Sequence, residues 1–230
     1  MIKIDFNKLL HSATYYLSYQ DRVGRNFMID ESSLKYPIAD YLTGLEFPLN
    51  RIKLEYPHPE FLKRSIDLVT TDASGDGIEN AFEFKRAKNS TKYESEQNRI
   101  FHDLIRLYLI SELGGNGYFL MAGPLADFIQ NFQSIPEARP TGYSKKLPDP
   151  EGVFTEWFRY EVGKEQKFVV NNASKLNYIK IYQSYLDEYK PIDATKSLSL
   201  PDQIRTECLA ISVISTDYPT PYVGAIWQVT

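Results

Sequence analysis

The chain has 230 residues, 43% of them hydrophobic and 24% charged, which fits a folded globular protein and excludes collagen-like, low-complexity and wholly disordered classes. A lone cysteine, Cys208, excludes an internal disulfide and a cysteine-built zinc site, and the three histidines (His11, His58, His102) are too scattered for a His-rich metal cluster. The net charge of −4 lacks the basic surplus of a DNA-coating protein. No stretch approaches the ~18 apolar residues that span a bilayer, and the charged residues 1–8 lack the apolar run of a signal peptide. The expectation is a cytoplasmic chain without membrane contact, with Cys208 reduced and in the core.

Residues 5–20 set Phe6, Leu9, Leu10, Ala13 and Leu17 near helical spacing and predict a short amphipathic helix. A second helix is predicted from about Asp30 to Gly44. Asp30 or Ser32 can cap it, Glu31 suits its first turn, and Pro37 delays or kinks its start. Strands are then predicted over 49–56, 65–71 and 80–86. In the third, Phe82 and Phe84 alternate with Glu83 and Lys85, so the rings take one face and the charges the other. Between the second and third, residues 72–77 have the composition of a hairpin turn.

A long helix follows over 92–113. Its apolar stripe includes Gln97, Ile100, Phe101, Leu104 and Ile105, with Glu96, Arg99, Asp103 and Arg106 off it. The glycine-rich residues 114–117 end this helix, a buried strand runs over 118–122, and Pro124 opens a further helix to 132. Residues 134–151 carry four prolines and the pair Lys145 and Lys146, the composition of a long exposed loop. Beyond it, 158–160 and 167–170 read as strands, 175–189 as a helix, and 207–215 and 222–229 as two last strands. The expected fold class is α/β (α+β), a central mixed sheet flanked by helices, in one domain over 1–230.

The chemistry concentrates between Asp67 and Lys85. Asp67 interrupts an apolar strand, and a carboxylate with apolar neighbours needs a partner. Glu83 and Lys85, two apart on a strand, share a face, and a hairpin brings Asp67 alongside them. Two carboxylates and an ammonium on one sheet surface suit phosphodiester cleavage, because magnesium asks for one or two protein carboxylates and takes its other ligands from water and phosphate. The alternative is that Glu83 and Lys85 form the solvated face of an edge strand, with Asp67 pairing Arg64 or Lys63. Asp72, Ser74, Asp76, Gly77 and Glu83 also satisfy a calcium-loop spacing, but the flanks read as strands where an EF-hand needs helices.

At these residues the sequence resembles the PD-(D/E)XK, or restriction-endonuclease-like, nuclease superfamily. The resemblance covers the core 30–123 and implies a helix, three strands, a helix and a further strand, with 134–230 as a C-terminal extension of the sheet. It implies a metal-dependent nuclease, endo- or exonucleolytic, acting on DNA with Mg2+ or Mn2+. Asp67 and Glu83 would bind the metal, Lys85 would hold the water and offset transition-state charge, and Glu31 would support the site, with Glu55 as its rival. Ile66 stands where the family usually has proline. Members that lose the chemistry act as nucleic-acid-binding or assembly modules, and this is the alternative function.

Between Lys85 and Arg106 six basic residues face three acidic ones, a local +3. Arg86, Lys88, Lys92 and Arg99 are therefore the expected phosphate contacts, with solvated helix positions as the competing reading for Arg99 and Arg106. The segment 134–230 carries no readable motif and is where specificity, a homodimer contact or a protein partner is expected.

Overall fold

The computed structural model describes residues 2–88, 94–131, 153–170, 177–188, 192, 201–214 and 220–230. Asp5 starts the first helix, α1 (Phe6–Arg22), by accepting the backbone N–H groups of Asn7 and Lys8 at 3.1 and 3.2 Å. Leu9, Leu10, Ala13 and Leu17 are fully buried on its inner face, as their spacing predicts. The predicted helix after Asp30 starts later. Asp30 Oδ1 accepts the Ser33 N–H at 2.9 Å and caps a 3-10 turn, Ser32–Leu34, ahead of α2 (Lys35–Gly44). Glu31 thus precedes α2 instead of occupying its first turn. Pro37 is the third residue of α2, where its missing N–H costs no intrahelical bond.

Three strands follow, β1 (Ile52–Pro57), β2 (Ser65–Thr71) and β3 (Ile78–Arg86), then α3 (Glu94–Glu112) and β4 (Asn116–Pro124). The turn between β2 and β3 closes with Asp72 accepting from Ser74 Oγ at 2.6 Å and the Gly75 N–H at 2.9 Å. This is the predicted hairpin. The chain continues through α4 (Leu125–Asn131), α5 (Val153–Trp157), β5 (Glu165–Val169), α6 (Tyr178–Glu188), β6 (Gln203–Ile214) and β7 (Tyr222–Val229). The strand read over 158–160 is not formed. The Phe158 N–H bonds the Phe154 carbonyl at 2.8 Å as α5 ends, and its ring packs 4.5 Å from that of Trp227. Packing of aromatic residues, not strand pairing, explains that apolar cluster. The proline-rich residues 134–151 lie outside the described residues.

Among the described residues seven strands form one mixed sheet in the order β1-β2-β3-β4-β7-β6-β5. β3 and β4 run parallel, joined through α3, and the other neighbouring pairs run antiparallel. One face carries α1 and α2 over Leu68, Phe82, Phe84, Leu120 and Ile226. The other carries α3 to α6 over Val69, Ala81, Phe119, Met121 and Trp227. Cys208 lies in this second core, where burial pushes its thiol up to about 12. A Cβ on Gly117 would sit 2.7 Å from the Leu107 carbonyl oxygen, so glycine lets α3 lie close on β4. That approach brings the inner face of α3 over β3. No helix among the described residues is long and apolar enough to cross a membrane.

Candidate active site

The ladder between β2 and β3 runs from Thr71 and Ile78 to Leu68 and Phe82. One step further stand Asp67 and Glu83. There the side chain replaces the ladder, with Asp67 Oδ2 accepting the Phe84 N–H at 2.9 Å. A cleft of about 530 Å³ opens at this point, and Asp67, Glu83, Lys85 and Glu31 all line it. The four predicted site residues therefore meet around one cavity.

Their environment differs from a solvated strand face. β3 is an inner strand, and Glu83 and Lys85 are 3% and 5% exposed. Glu83 Oε1 accepts from Arg106 Nε at 2.8 Å, and Arg106 Nη2 donates to Asp103 Oδ1 at 2.6 Å. Lys85 Nζ lies 2.9 Å from Glu31 Oε2 and 3.4 Å from Glu96 Oε2. Asp67 forms an ion pair with a residue of α2. Its Oδ1 lies 3.0 Å from Nζ of Lys35, which also bonds Glu55 Oε1. Glu55 is positioned by its own backbone, at φ 50° in the left-handed region, which costs a non-glycine residue about 1–2 kcal/mol.

The carboxylates strain one another. Burial pushes the Glu83 carboxyl well up, Asp103 and Asp67 add to the rise, and Arg106 pulls against it. Glu31 and Asp103 are raised for the same reason, burial first and neighbouring acids next. For Lys85 burial works against the charge, yet Asp103, Glu31 and Glu96 more than offset it and hold the ammonium above its ordinary value. Desolvated carboxylate oxygens are the donor type a hard divalent cation takes. Among the described residues no group of three His, Cys, Asp or Glu forms a metal cage. Asp67 and Glu83 are the two carboxylates that would offer magnesium the one or two protein ligands it usually takes.

Acidic side chains from other elements join the expected basic residues in the cleft. Among the described residues the cleft is lined by six acidic side chains and six lysines and arginines, whose formal charges cancel. Asp30, Glu31, Asp67 and Glu83, with Arg64, come from outside the basic segment and supply the balance. Arg86 donates to the Ile29 carbonyl, and Arg99 pairs with Glu96 at 2.8 Å with its own side chain 69% exposed. Arg86, Lys88 and Arg99 line the cleft, whereas Lys92 lies outside the described residues.

Asp103 lines the cleft and Lys35 pairs with Asp67 without either having been read as a site residue from sequence, whereas Arg106, weighed as a phosphate contact or a solvated helix position, is buried against Glu83. Glu96, Arg99, Asp103 and Arg106 do recur at i, i+3, i+7 and i+10, a second, polar stripe on α3, and that was the available signal. Lys35 has no such signal, since it opens a helix far from the strands in sequence.

His58 is buried beside the backbone of Arg106. Its Nδ1 accepts the Glu60 N–H at 3.0 Å, so Nε2 carries the proton, 3.3 Å from the Arg106 carbonyl oxygen. Burial pushes its pKa down to about 4 from an ordinary 6.5. The neutral ring is favoured on folding, so its contribution is full above pH 6.5, falls as pH drops, and is gone by about pH 4. The loss amounts to about 3 kcal/mol. Urea melts from pH 4 to 7.5 are expected to show wild type losing this much more than His58→Gln; parallel pH profiles would contradict it.

Comparison of the chain with protein-family models, curated proteins and solved structures returns no match.

Proposed function

We propose that this chain is a metal-dependent nuclease of restriction-endonuclease-like fold that hydrolyses DNA phosphodiester bonds. The observation that carries the reading is that Asp67, Glu83, Lys85 and Glu31 line one cleft where β2 and β3 part. The strand order β1-β2-β3-β4, with β3 parallel to β4 across α3, supports it. Asp67 and Glu83 would hold the cation. When bound there, Mg2+ or Mn2+ supplies Lewis-acid polarisation of the phosphoryl oxygen and a lowered pKa for the attacking water. Lys85, ion-paired with Glu31 and Glu96, donates hydrogen bonds to the charge that develops on the phosphoryl oxygens. Glu31 aims the Lys85 ammonium and accepts from the water. Since the charges of the described cleft residues cancel, DNA binding is expected to be weak without divalent cation.

A test uses labelled single- and double-stranded DNA with wild type and Asp67→Asn, in Mg2+, Mn2+ or chelator. Cleavage is expected only for wild type with metal. Cutting that survives chelation, or that Asp67→Asn retains in full, would refute the proposal.

One observation favours a second reading, a member of the same fold that binds nucleic acid or assembles without cutting. Asp67, Glu83 and Glu31 each already have an internal cation, in Lys35, Arg106 and Lys85. DNA retention by the wild type with no cleavage in Mn2+ would select it.

A further inference from the structure

We infer that Lys35 is a positioning residue for Asp67, set in place by Glu55 from behind the cleft; the inference rests on the metal-dependent reading of that cleft. Lys35 is 6% exposed and is not one of the residues that line the cavity, whereas Asp67 is. It stands on α2 between buried Leu34 and Ile38, a place where a lysine is costly unless its charge is answered. Two carboxylates answer it. Nζ lies 3.0 Å from Asp67 Oδ1 and bonds Glu55 Oε1.

Glu55 reaches this position through an irregular backbone. The β1–β2 register is unshifted from Ile52 opposite Thr70 to Pro57 opposite Ser65, which sets Glu55 across from Asp67, and Glu55 sits at φ 50°. A left-handed residue inside a strand is disfavoured, and here it coincides with the side chain that meets Lys35. Ser65 Oγ fixes the second oxygen of Glu55 at 2.9 Å. With the Phe84 N–H on Oδ2, both Asp67 oxygens are held. The carboxylate is thereby locked in one orientation before any cation arrives. Octahedral Mg2+ or Mn2+ is sensitive to that orientation, and groups that orient a ligand typically change affinity by about 10–100-fold.

The sign of the effect separates positioning from charge. Lys35→Met removes a positive charge beside a cation ligand, so charge alone predicts tighter metal binding. Positioning predicts looser binding. The probe is Mn2+ alone, titrated calorimetrically into wild type, Lys35→Met, Lys35→Arg and Asp67→Asn, with Lys35→Gln in place of the methionine variant if that fails to fold. Expected are about 10–100-fold weaker binding in Lys35→Met and partial recovery in Lys35→Arg. Unchanged or tighter binding in Lys35→Met overturns the inference. If wild type and Asp67→Asn bind Mn2+ alike, it is the metal-dependent reading that fails. The link is then decided by metal-free urea unfolding of Lys35→Met, Asp67→Asn and the double variant. Non-additivity of more than about tenfold in the unfolding constant upholds it, and additivity overturns it.

Discussion

Arg106→Met is expected to cost about 3–5 kcal/mol of stability, the largest loss of any single substitution in the cleft. Arg106 bonds Glu83 and Asp103 together, and the three side chains are 8%, 4% and 11% exposed. Methionine fills much of the volume but leaves two carboxylates buried without a counter-charge. For a chain of this length the midpoint is expected to fall by roughly 6–20 °C, at about 2–4 °C per kcal/mol. The pH dependence has a definite sign. Glu83 and Asp103 already titrate above their ordinary values in the folded protein, chiefly through burial, and the variant drives them higher. A raised carboxyl favours folding below its unfolded pKa, so the deficit is greatest at neutral pH and shrinks on acidification. Replacing the whole set, with Glu83→Gln, Asp103→Asn and Arg106→Met together, is expected to be milder than the single change. Urea melts at pH 7 and pH 5 check this, and a loss below about 1 kcal/mol would place the guanidinium in solvent.

Lys85→Ala is expected to lower the cleavage rate by about 10²–10³-fold, the usual effect of removing one preorganised donor from developing oxyanion charge. Its effect on stability is expected to be smaller than that of Arg106→Met. The carboxylates it abandons, Glu31 and Glu96, have side chains 39% and 23% exposed and can be solvated. Rate loss without comparable unfolding therefore distinguishes the two cations.

What the amino-acid order makes legible here is local. The alternation of Phe82 and Phe84 with Glu83 and Lys85 is a period-two pattern, and the two rings do pack beneath α1 and α2 while the charges turn to the cleft. The Asp72–Gly77 turn is legible for the same reason, since its side chains bond within the segment. Whether a charge is buried is not local. Asp103 and Arg106 fall off the apolar stripe of α3, which normally means solvent, yet they are 8% and 7% exposed because α3 presses onto β4 at Gly117. The local +3 between Lys85 and Arg106 likewise says nothing of Asp30, Glu31 and Asp67, which other elements bring to the same cavity. Lys35 meets Asp67 across 32 residues of chain, beside a left-handed Glu55 that no sequence pattern announces.

The central claim is that the cleft at Asp67, Glu83 and Lys85 hydrolyses phosphodiesters with a divalent cation. Single-turnover cleavage of labelled single- and double-stranded DNA in Mg2+ or Mn2+, by wild type and by Lys85→Ala at equal folded concentration, tests it most directly. The account predicts cutting by the wild type and a loss of about 10²–10³-fold in the variant. Equal cutting by both proteins, or none by either, would contradict it.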